Sequence, residues 1–385
     1  MDKTYIQDTA YGGYGVGKMP DGRVVFIPHT VEGDTVTYTV TEDKSKFVYG
    51  DLAEVLEPSA KRGELYCPHI GKCGGCVFGH IDYANQLEIK KGFVLTAFAR
   101  NKIEIPEPEI VSGNLQEFRN RATFRIRNGQ IGFFAFKSNS FIPVDECPVI
   151  KKSMVEKAKQ FAAKAEDCSL YITENENGEA LAKADIPVTD QCGFAGLKGT
   201  DGIRGSRRIA FDTPYGAFYA DFGSFSQGNR HISSKLQDFV YEHSEGSKGL
   251  DLYCGTGFLT LPLAKRCAKV EAVESYAPAI RLAEKTGLKN VRWHAARSEE
   301  IARRLGRGFD VIVADPPRTG MDKAVCRFIK DSGAEKLILI SCDPNTLARD
   351  IARVGDSYRV SRLCIADLFP GSYHVESLAL LNKVK

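Results

Sequence analysis

The first stretch of the chain, to about residue 57, alternates apolar and polar positions in short runs such as Arg23-Val24-Val25-Phe26-Ile27 and Thr35-Val36-Thr37-Tyr38-Thr39-Val40. A period of two, broken by Gly12-Gly13, Gly15, Gly17, Asp21-Gly22 and Gly33-Asp34, predicts short strands joined by tight turns, and hence a small closed β-barrel. Residues 58–63 are polar and aperiodic and read as a linker into a cysteine-rich loop. Between residues 83 and 101 the spacing turns helical, with Leu87, Phe93, Val94, Leu95, Ala97 and Phe98 as the apolar positions. Residues 118–222 return to strand and turn, interrupted by a predicted helix over 154–165. Beyond Phe225 the β-type runs 250–252, 270–273, 310–313 and 336–340 alternate with helical stretches, the rhythm of βαβ units around a largely parallel sheet.

Three units follow: 1–58, 59–222 and 223–385. A chain of 385 residues exceeds what one hydrophobic core normally supports, and 43% apolar residues suffice to fill several. No run of eighteen apolar residues and no signal-peptide layout at Met1-Asp2-Lys3-Thr4-Tyr5 is present, so the expectation is a cytoplasmic protein with no membrane association. In a reducing compartment eleven cysteines are not a disulfide framework, and metal ligation or catalysis should account for some of them. The net charge of +3 is too small to imply a polyanion partner by itself, so such a partner has to be met by local clusters.

Candidate chemistry sits at the predicted strand ends, where ligands collect in α/β folds. Asp251-Leu252-Tyr253-Cys254-Gly255-Thr256-Gly257 is a glycine turn that lets the backbone approach a ligand, and Glu274, about twenty residues on, is placed to accept from ribose hydroxyls. A third glycine near Thr260 is missing, which favours S-adenosylmethionine over a dinucleotide. Asp315-Pro316-Pro317-Arg318 and Ser341-Cys342-Asp343-Pro344 follow neighbouring strands, while Phe225-Ser226-Gln227 and His374-Val375-Glu376 add an aromatic, an amide and a carboxylate. Alone, Cys342 would be a small core residue and Glu376 a solvated charge. Arriving together they suit methylation of a pyrimidine carbon: a thiolate adds to carbon 6, carbon 5 becomes nucleophilic, and a base then removes its proton.

Cys67, Cys73 and Cys76 crowd one short loop and Cys147 offers a fourth thiol, a set that spacing alone assigns either to zinc or to an iron–sulfur cluster. Phe118 to Arg127 interleaves Arg119, Arg121, Arg125 and Arg127 with aromatics, which on one face of a strand would contact phosphates and bases; Arg204, Arg207 and Arg208 form a second cluster.

These motifs resemble the RNA 5-methyluridine methyltransferase family, in the subgroup with an N-terminal TRAM domain and an iron–sulfur cluster, over nearly the whole chain. The resemblance implies an OB-like TRAM barrel, a central mostly-β domain with the cluster loop, and a Rossmann-like methyltransferase domain. It implies Cys342 as nucleophile, Glu376 as proton acceptor, and Gln227, Tyr253, Gly255, Gly257, Glu274 and Asp315 as binders of S-adenosylmethionine. Gln227 and Asp315 would also touch the uracil, with Phe225 stacking on a base. It also favours a [4Fe-4S] cluster on Cys67, Cys73, Cys76 and Cys147 over zinc. The chain departs from the pattern at Phe258, at Ala296-Arg297-Ser298 and at Ser372. The expected substrate is 23S rRNA and the expected state a monomer. Methylation of transfer RNA at uridine 54, an RNA cytosine-5 methyltransferase, and a redox-sensing RNA-binding protein with an inert methyltransferase domain are the alternatives.

Overall fold

The structure is a computed structural model describing residues 1–188, 193–301 and 304–384. Near its start, six strands form one sheet in the order Asp2–Tyr5, Thr35–Asp43, Phe47–Glu57, Val24–Pro28, Tyr14–Lys18, Asp8–Ala10. Three register shifts between Thr35–Asp43 and Phe47–Glu57 curl it, since each extra residue bends a strand and increases its twist. The hydroxyl of Thr4 accepts from the Lys18 amide at 3.0 Å and donates to the Lys18 carbonyl at 2.9 Å, joining the first strand to the strand Tyr14–Lys18. Ile6, Val25, Ile27, Val36, Tyr38 and Val48 fill the interior. The segment read as a linker is pinned: Arg62 forks onto the buried Asp34 carboxylate with two bonds of 2.8 Å.

A second sheet of seven strands runs Phe141–Pro143, Gln130–Phe134, Arg121–Arg127, Cys168–Glu174, Ala180–Ala184, Gly196–Gly199, Gly202–Gly205. The apolar stripe of the helix Lys152–Ala162 (Met154, Val155, Ala158, Phe161) covers it, close to the helix expected over 154–165. The cysteine loop is tied to this sheet by a bridge between Cys73 and Ala135.

The third sheet has eight strands: β1 (Glu109–Val111), β2 (Gly246–Leu252), β3 (Cys267–Glu274), β4 (Val291–Ala295), β5 (Val311–Ala314), β6 (Lys336–Ser341), β7 (Tyr358–Ala366) and β8 (Glu376–Lys383). Their order is β4-β3-β2-β5-β6-β8-β7-β1. β2 to β6 are mutually parallel and β8 runs antiparallel between β6 and β7. The strands read as near-continuous apolar runs because helices cover both faces.

The expected partition at residue 222 needs adjustment at one place. The helix α1 (Tyr83–Arg100) buries Val94, Ala97 and Phe98 in the core of the third sheet, and β1 extends that sheet along β7. Residues 83–111 therefore pack with the C-terminal unit, because the apolar face of α1 finds its complement there. Among the described residues no helix is long and apolar enough to cross a membrane.

Candidate active site

Strand register assembles the site. Leu252 pairs with Val273 and with Ala314, and Ala314 pairs with Leu339, so the turns after β2, β3, β5 and β6 emerge along one edge. Antiparallel pairing of Ser341 with Ser377 then sets Glu376, the first residue of β8, beside the end of β6. Sequence-distant Tyr253, Glu274, Asp315, Cys342 and Glu376 are thus brought to one rim.

At the first turn Tyr253, Gly255 and Gly257 have φ of 63°, 54° and 90°. A Cβ on Gly257 would meet the Trp293 ring at 2.9 Å, whereas one on Gly255 would project into open space. Glu274 receives the Gly255 amide at 3.2 Å, the Tyr276 amide at 2.7 Å and the Ser275 hydroxyl at 3.0 Å, which fixes its carboxylate at the end of β3. Asp251, wholly buried, accepts from Thr260 at 2.5 Å and leaves its other oxygen without a partner. Burial raises its pKa to about 7. Arg297 is 70% exposed and faces Glu299.

The turn after β6, which carries Cys342, is built for rigidity. Asp343 caps the helix α2 (Pro344–Val354), accepting from the amides of Asn345 and Thr346, and Pro344 occupies the first helical turn. Asp350 on α2 accepts the Met321 amide at 2.6 Å, and Arg349 donates to the Thr319 carbonyl at 2.7 Å, so the loop after Asp315 is tied to the turn after Cys342. Burial, then Glu376 and Asp315, push the Cys342 thiol up to about 11, while the Arg318 guanidinium beside it pulls the other way. Asp315 rises to about 7 by desolvation, and burial with Asp315 nearby holds Glu376 well above the usual carboxylate range. Three buried acids, Asp251, Asp315 and Glu376, outnumber the one cation beside them, Arg318, an environment suited to a positively charged ligand.

The loop before Glu376 is held from two sides. Lys90 of α1 donates to Asp367 at 2.6 Å and to the Phe369 carbonyl at 3.0 Å, both charged side chains being fully buried. Gly371 donates to Gln86 at 2.9 Å and accepts from the Phe78 amide at 2.8 Å. Ser372, the departure from threonine, still bonds through its hydroxyl to the Phe369 carbonyl at 2.9 Å.

Of the predicted RNA-facing residues, Arg121 and Arg125 share the outer face of the strand Arg121–Arg127, with Arg121 4.8 Å from the ring centroid of Phe225 and Arg125 4.5 Å from that of Phe134. Arg119 lies just outside that strand, bridged to Ile150 and Asn229, so the four arginines do not form one uninterrupted strand face. Arg119, Arg121, Tyr171, Phe225 and Phe369 line a groove of about 280 Å³. Arg127 lies 3.9 Å from Asp167, and Arg204 is engaged by Asp201 at 2.5 Å. Phe225 is 62% exposed, while Gln227 is buried in the same segment.

Cys67, Cys73, Cys76 and Cys147 line one cavity of about 90 Å³ together with Tyr66 and Arg119. Burial raises the thiol pKa of Cys73 and Cys76, and that of Cys147 to about 12. Among the described residues no three His, Cys, Asp or Glu side chains stand close enough to share a single metal ion.

Comparison with known proteins completes the assignment. The profile of the tRNA (Uracil-5-)-methyltransferase family matches residues 217–384, and that of the TRAM domain matches residues 5–53. A 23S rRNA (uracil(1939)-C(5))-methyltransferase of Halomonas elongata is 30% identical over 428 residues, covering 98% of this chain and 88% of its own. The chain belongs to the RNA uracil-C5 methyltransferase family. An uncharacterised RNA methyltransferase of Aquifex aeolicus is 29% identical over 99% of this chain and 98% of its own. The fold of this methyltransferase matches the crystal structure of the Pyrococcus abyssi tRNA (uracil-54, C5)-methyltransferase in complex with S-adenosyl-L-homocysteine, with a TM-score of 0.80 and 23% identity over 98% of this chain and 100% of the other.

Sequence reasoning missed two neighbours of this rim. Tyr11, from the N-terminal unit, reaches the Cys342 carbonyl at 3.4 Å and packs edge-on against Phe93 and Tyr373. Nothing in the local pattern around Tyr11 signals this. His374, its ring 4.2 Å from that of Tyr373 and tilted by 44°, is contacted by Arg318 and has its pKa lowered to about 4 by burial and Arg318, which keeps it neutral. Arg318 was visible only as part of its motif.

Proposed function

We propose that this enzyme methylates carbon 5 of a uridine in RNA, through a covalent bond between Cys342 and carbon 6 of the base. The observation that carries this is the register of β6 against β8, which sets a thiol and a buried carboxylate side by side at the edge where the cofactor turns emerge. S-Adenosylmethionine, when bound, supplies the electrophilic methyl group. Glu274 and the turn Tyr253 to Gly257 would hold its nucleoside half, and the buried acids favour its positive charge. The glycine turn and Asp251, with one oxygen unpartnered, fit such a ligand.

The Cys342 thiolate adds to carbon 6 and the ring's electrons move to carbon 5 and the carbonyl, making carbon 5 the nucleophile that accepts the methyl group. Glu376, ionised at that stage, then removes the proton from carbon 5, and the carbon–sulfur bond breaks to return the thiolate. Asp315 and Gln227 would hold the uracil edge, with Phe225 stacked on a neighbouring base over Arg119, Arg121 and Arg125. The uridine has to leave its stack to reach the sulfur.

The substrate we favour is 23S rRNA, on the likeness to the Halomonas elongata enzyme, which aligns across the N-terminal unit as well as the catalytic one. The curled N-terminal sheet serves as the OB-like part of the TRAM unit. The four cysteines, which line one cavity with Tyr66 and Arg119, would hold a [4Fe-4S] cluster, favoured over zinc by the family resemblance. The cluster would be structural, since no step above moves an electron. We expect a monomer.

Replacing Cys342 by Ala should abolish both methyl transfer and covalent capture of 5-fluorouridine RNA while leaving S-adenosylhomocysteine binding within a fewfold of wild type. Turnover by that variant would remove the thiol from the mechanism. Mapping which uridines lose their methyl group in a deletion strain identifies the RNA.

A further inference from the structure

The N-terminal sheet sends one turn to the rim that carries Cys342 and Glu376. Between the strands Asp8–Ala10 and Tyr14–Lys18 the chain reverses through Tyr11-Gly12-Gly13, closed by the Gly13 amide on the Ala10 carbonyl at 3.2 Å. Gly13 has a φ of 89°, and a Cβ there would stand 3.1 Å from Val77 and 3.2 Å from the Tyr373 ring. Glycine therefore lets the turn lie against the loop that leads to Glu376, three residues beyond Tyr373. Tyr11 is half-buried against the core of the third sheet. Its ring meets Phe93 of α1 and Tyr373 edge-on, each at 5.5 Å between centroids, the arrangement aromatic pairs prefer.

Tyr11 also reaches the other half of the reactive pair. The peptide plane that joins Cys342 to Asp343 is held at both ends: the Asp343 amide donates to the Ser341 hydroxyl at 3.2 Å, and the Cys342 carbonyl accepts from the Tyr11 hydroxyl at 3.4 Å. Among the described residues no other donor serves that carbonyl. Because a peptide unit is planar, fixing it fixes the backbone rotation between the Cys342 Cα and its carbonyl, and with it the direction in which Cβ carries the sulfur. Burial, with Asp343 and Cys342 nearby, holds the phenol above its ordinary range, so the hydroxyl keeps the proton it donates.

We propose that Tyr11 is a positioning residue of the reaction: its hydroxyl sets the aim of the Cys342 sulfur, and its ring, through Tyr373, sets the loop that carries Glu376. This role rests on the covalent mechanism given above and adds a part of the catalytic geometry supplied by the N-terminal unit. One side chain, 331 residues from the nucleophile, holds thiol and carboxylate at a fixed separation. It acts through Cys342 and Tyr373, with no bond of its own to the uracil.

The test uses the full-length enzyme, S-adenosylmethionine and RNA in which 5-fluorouridine replaces uridine, with covalent adduct followed on denaturing gels so that rate and amplitude are read separately. Tyr11→Phe keeps the ring and loses the hydroxyl. It should slow adduct formation at saturating RNA by about threefold to tenfold, the worth of one hydrogen bond, while the fraction of enzyme finally trapped stays that of wild type. Tyr11→Leu loses the ring as well and should slow the step by about tenfold to a hundredfold. On ordinary uridine RNA it should also accumulate methylated adduct, because the Glu376 loop is released. Dissociation constants for RNA and for S-adenosylhomocysteine should stay at wild-type values. Tyr11→Leu combined with Tyr373→Leu should be no slower than the slower single variant, since both break one contact. Wild-type rates in Tyr11→Phe and Tyr11→Leu would overturn the role. So would a loss confined to amplitude, which marks a part needed only for folding, or a loss matched by weaker RNA binding, which makes Tyr11 an RNA contact. If Tyr11→Leu folds poorly, the rate of its trapped fraction and the behaviour of Tyr11→Phe still decide. A wild-type enzyme that methylates uridine yet never forms the adduct would sink the covalent mechanism and this role with it, whereas unaffected variants of an adduct-forming enzyme sink the role alone.

Discussion

Cys342 stands at the N-terminus of α2 and beside Arg318, two influences that lower a thiol pKa, yet burial with Glu376 and Asp315 outweighs them and pushes it up to about 11. At neutral pH the free enzyme therefore holds little thiolate. Single-turnover kcat/KM should rise about tenfold per pH unit between roughly 7 and 9, since the ionised fraction grows in that proportion below the pKa. A flat profile would mean that bound substrate supplies the proton acceptor. Arg318→Ala should move the titration upward and slow adduct formation. Glu376→Gln should leave carbon 6 addition intact but block proton removal from carbon 5, so methylated adduct accumulates on gels while turnover falls by about 10² to 10⁴, the usual worth of a general base. Asp315, raised to about 7, gives a linkage of definite sign. Below that pH its neutral form has to lose a proton before it can favour a sulfonium. S-Adenosylmethionine affinity should therefore increase as pH rises through 7 and level off above it, with proton release measurable by calorimetry in buffers of different ionisation heat. S-Adenosylhomocysteine, which lacks the sulfonium charge, should show a shallower slope, and Asp315→Asn should remove the difference.

Elements with one strong period were legible in the sequence. The run expected over 83–101 is the helix Tyr83–Arg100, and the four β-type runs after Phe225 became β2, β3, β5 and β6, because apolar segments between glycine or proline turns have few other ways to bury themselves. What the period could not reveal was allegiance: the pattern of α1 reads the same whichever sheet it covers, and only the burial of Val94, Ala97 and Phe98 in the core that also holds Leu337, Leu339 and Ala348 decides. Strand register brings the motif residues Cys342 and Asp315 to one rim, as their places after neighbouring strands implied, whereas Tyr11 and Lys90 reach across 331 and 277 residues of chain and left no local trace. Lys90 bears on a prediction at this scale. Its buried pair with Asp367 holds the loop that leads to Glu376, and Asp367 keeps one oxygen unpartnered. Lys90→Met, by leaving that acid alone in the core, should cost about 3–5 kcal/mol of stability in urea melts. The double change Lys90→Met with Asp367→Leu should recover much of it, and a single variant as stable as wild type would show that the pair contributes nothing.

Across the whole molecule the three large sheets meet near the rim that carries Cys342 and Glu376, and the junction includes a few close backbone contacts. Gly371, φ 75°, sits against the cysteine loop so tightly that a Cβ would meet the Tyr66 hydroxyl at 2.4 Å and the Cys76 sulfur at 3.5 Å. The Phe78 amide, two residues past Cys76, bonds to the Gly371 carbonyl, five residues before Glu376. The cysteine loop therefore braces the loop that leads to Glu376, the proposed base. Gly371→Ala has to displace one side or the other, since neither the strained φ nor the space tolerates a methyl group. It should lower kcat more than it weakens cofactor binding, because Glu274 and the turn after β2 lie on strands that Gly371 does not contact. Cys76→Ser, which alters the opposite wall of the same contact, should reproduce the defect in proton removal, seen as accumulated 5-fluorouridine-independent adduct, with S-adenosylhomocysteine affinity preserved. If instead both variants lose cofactor binding and turnover in equal proportion, this brace is dispensable and the cysteine loop supports the fold as a whole.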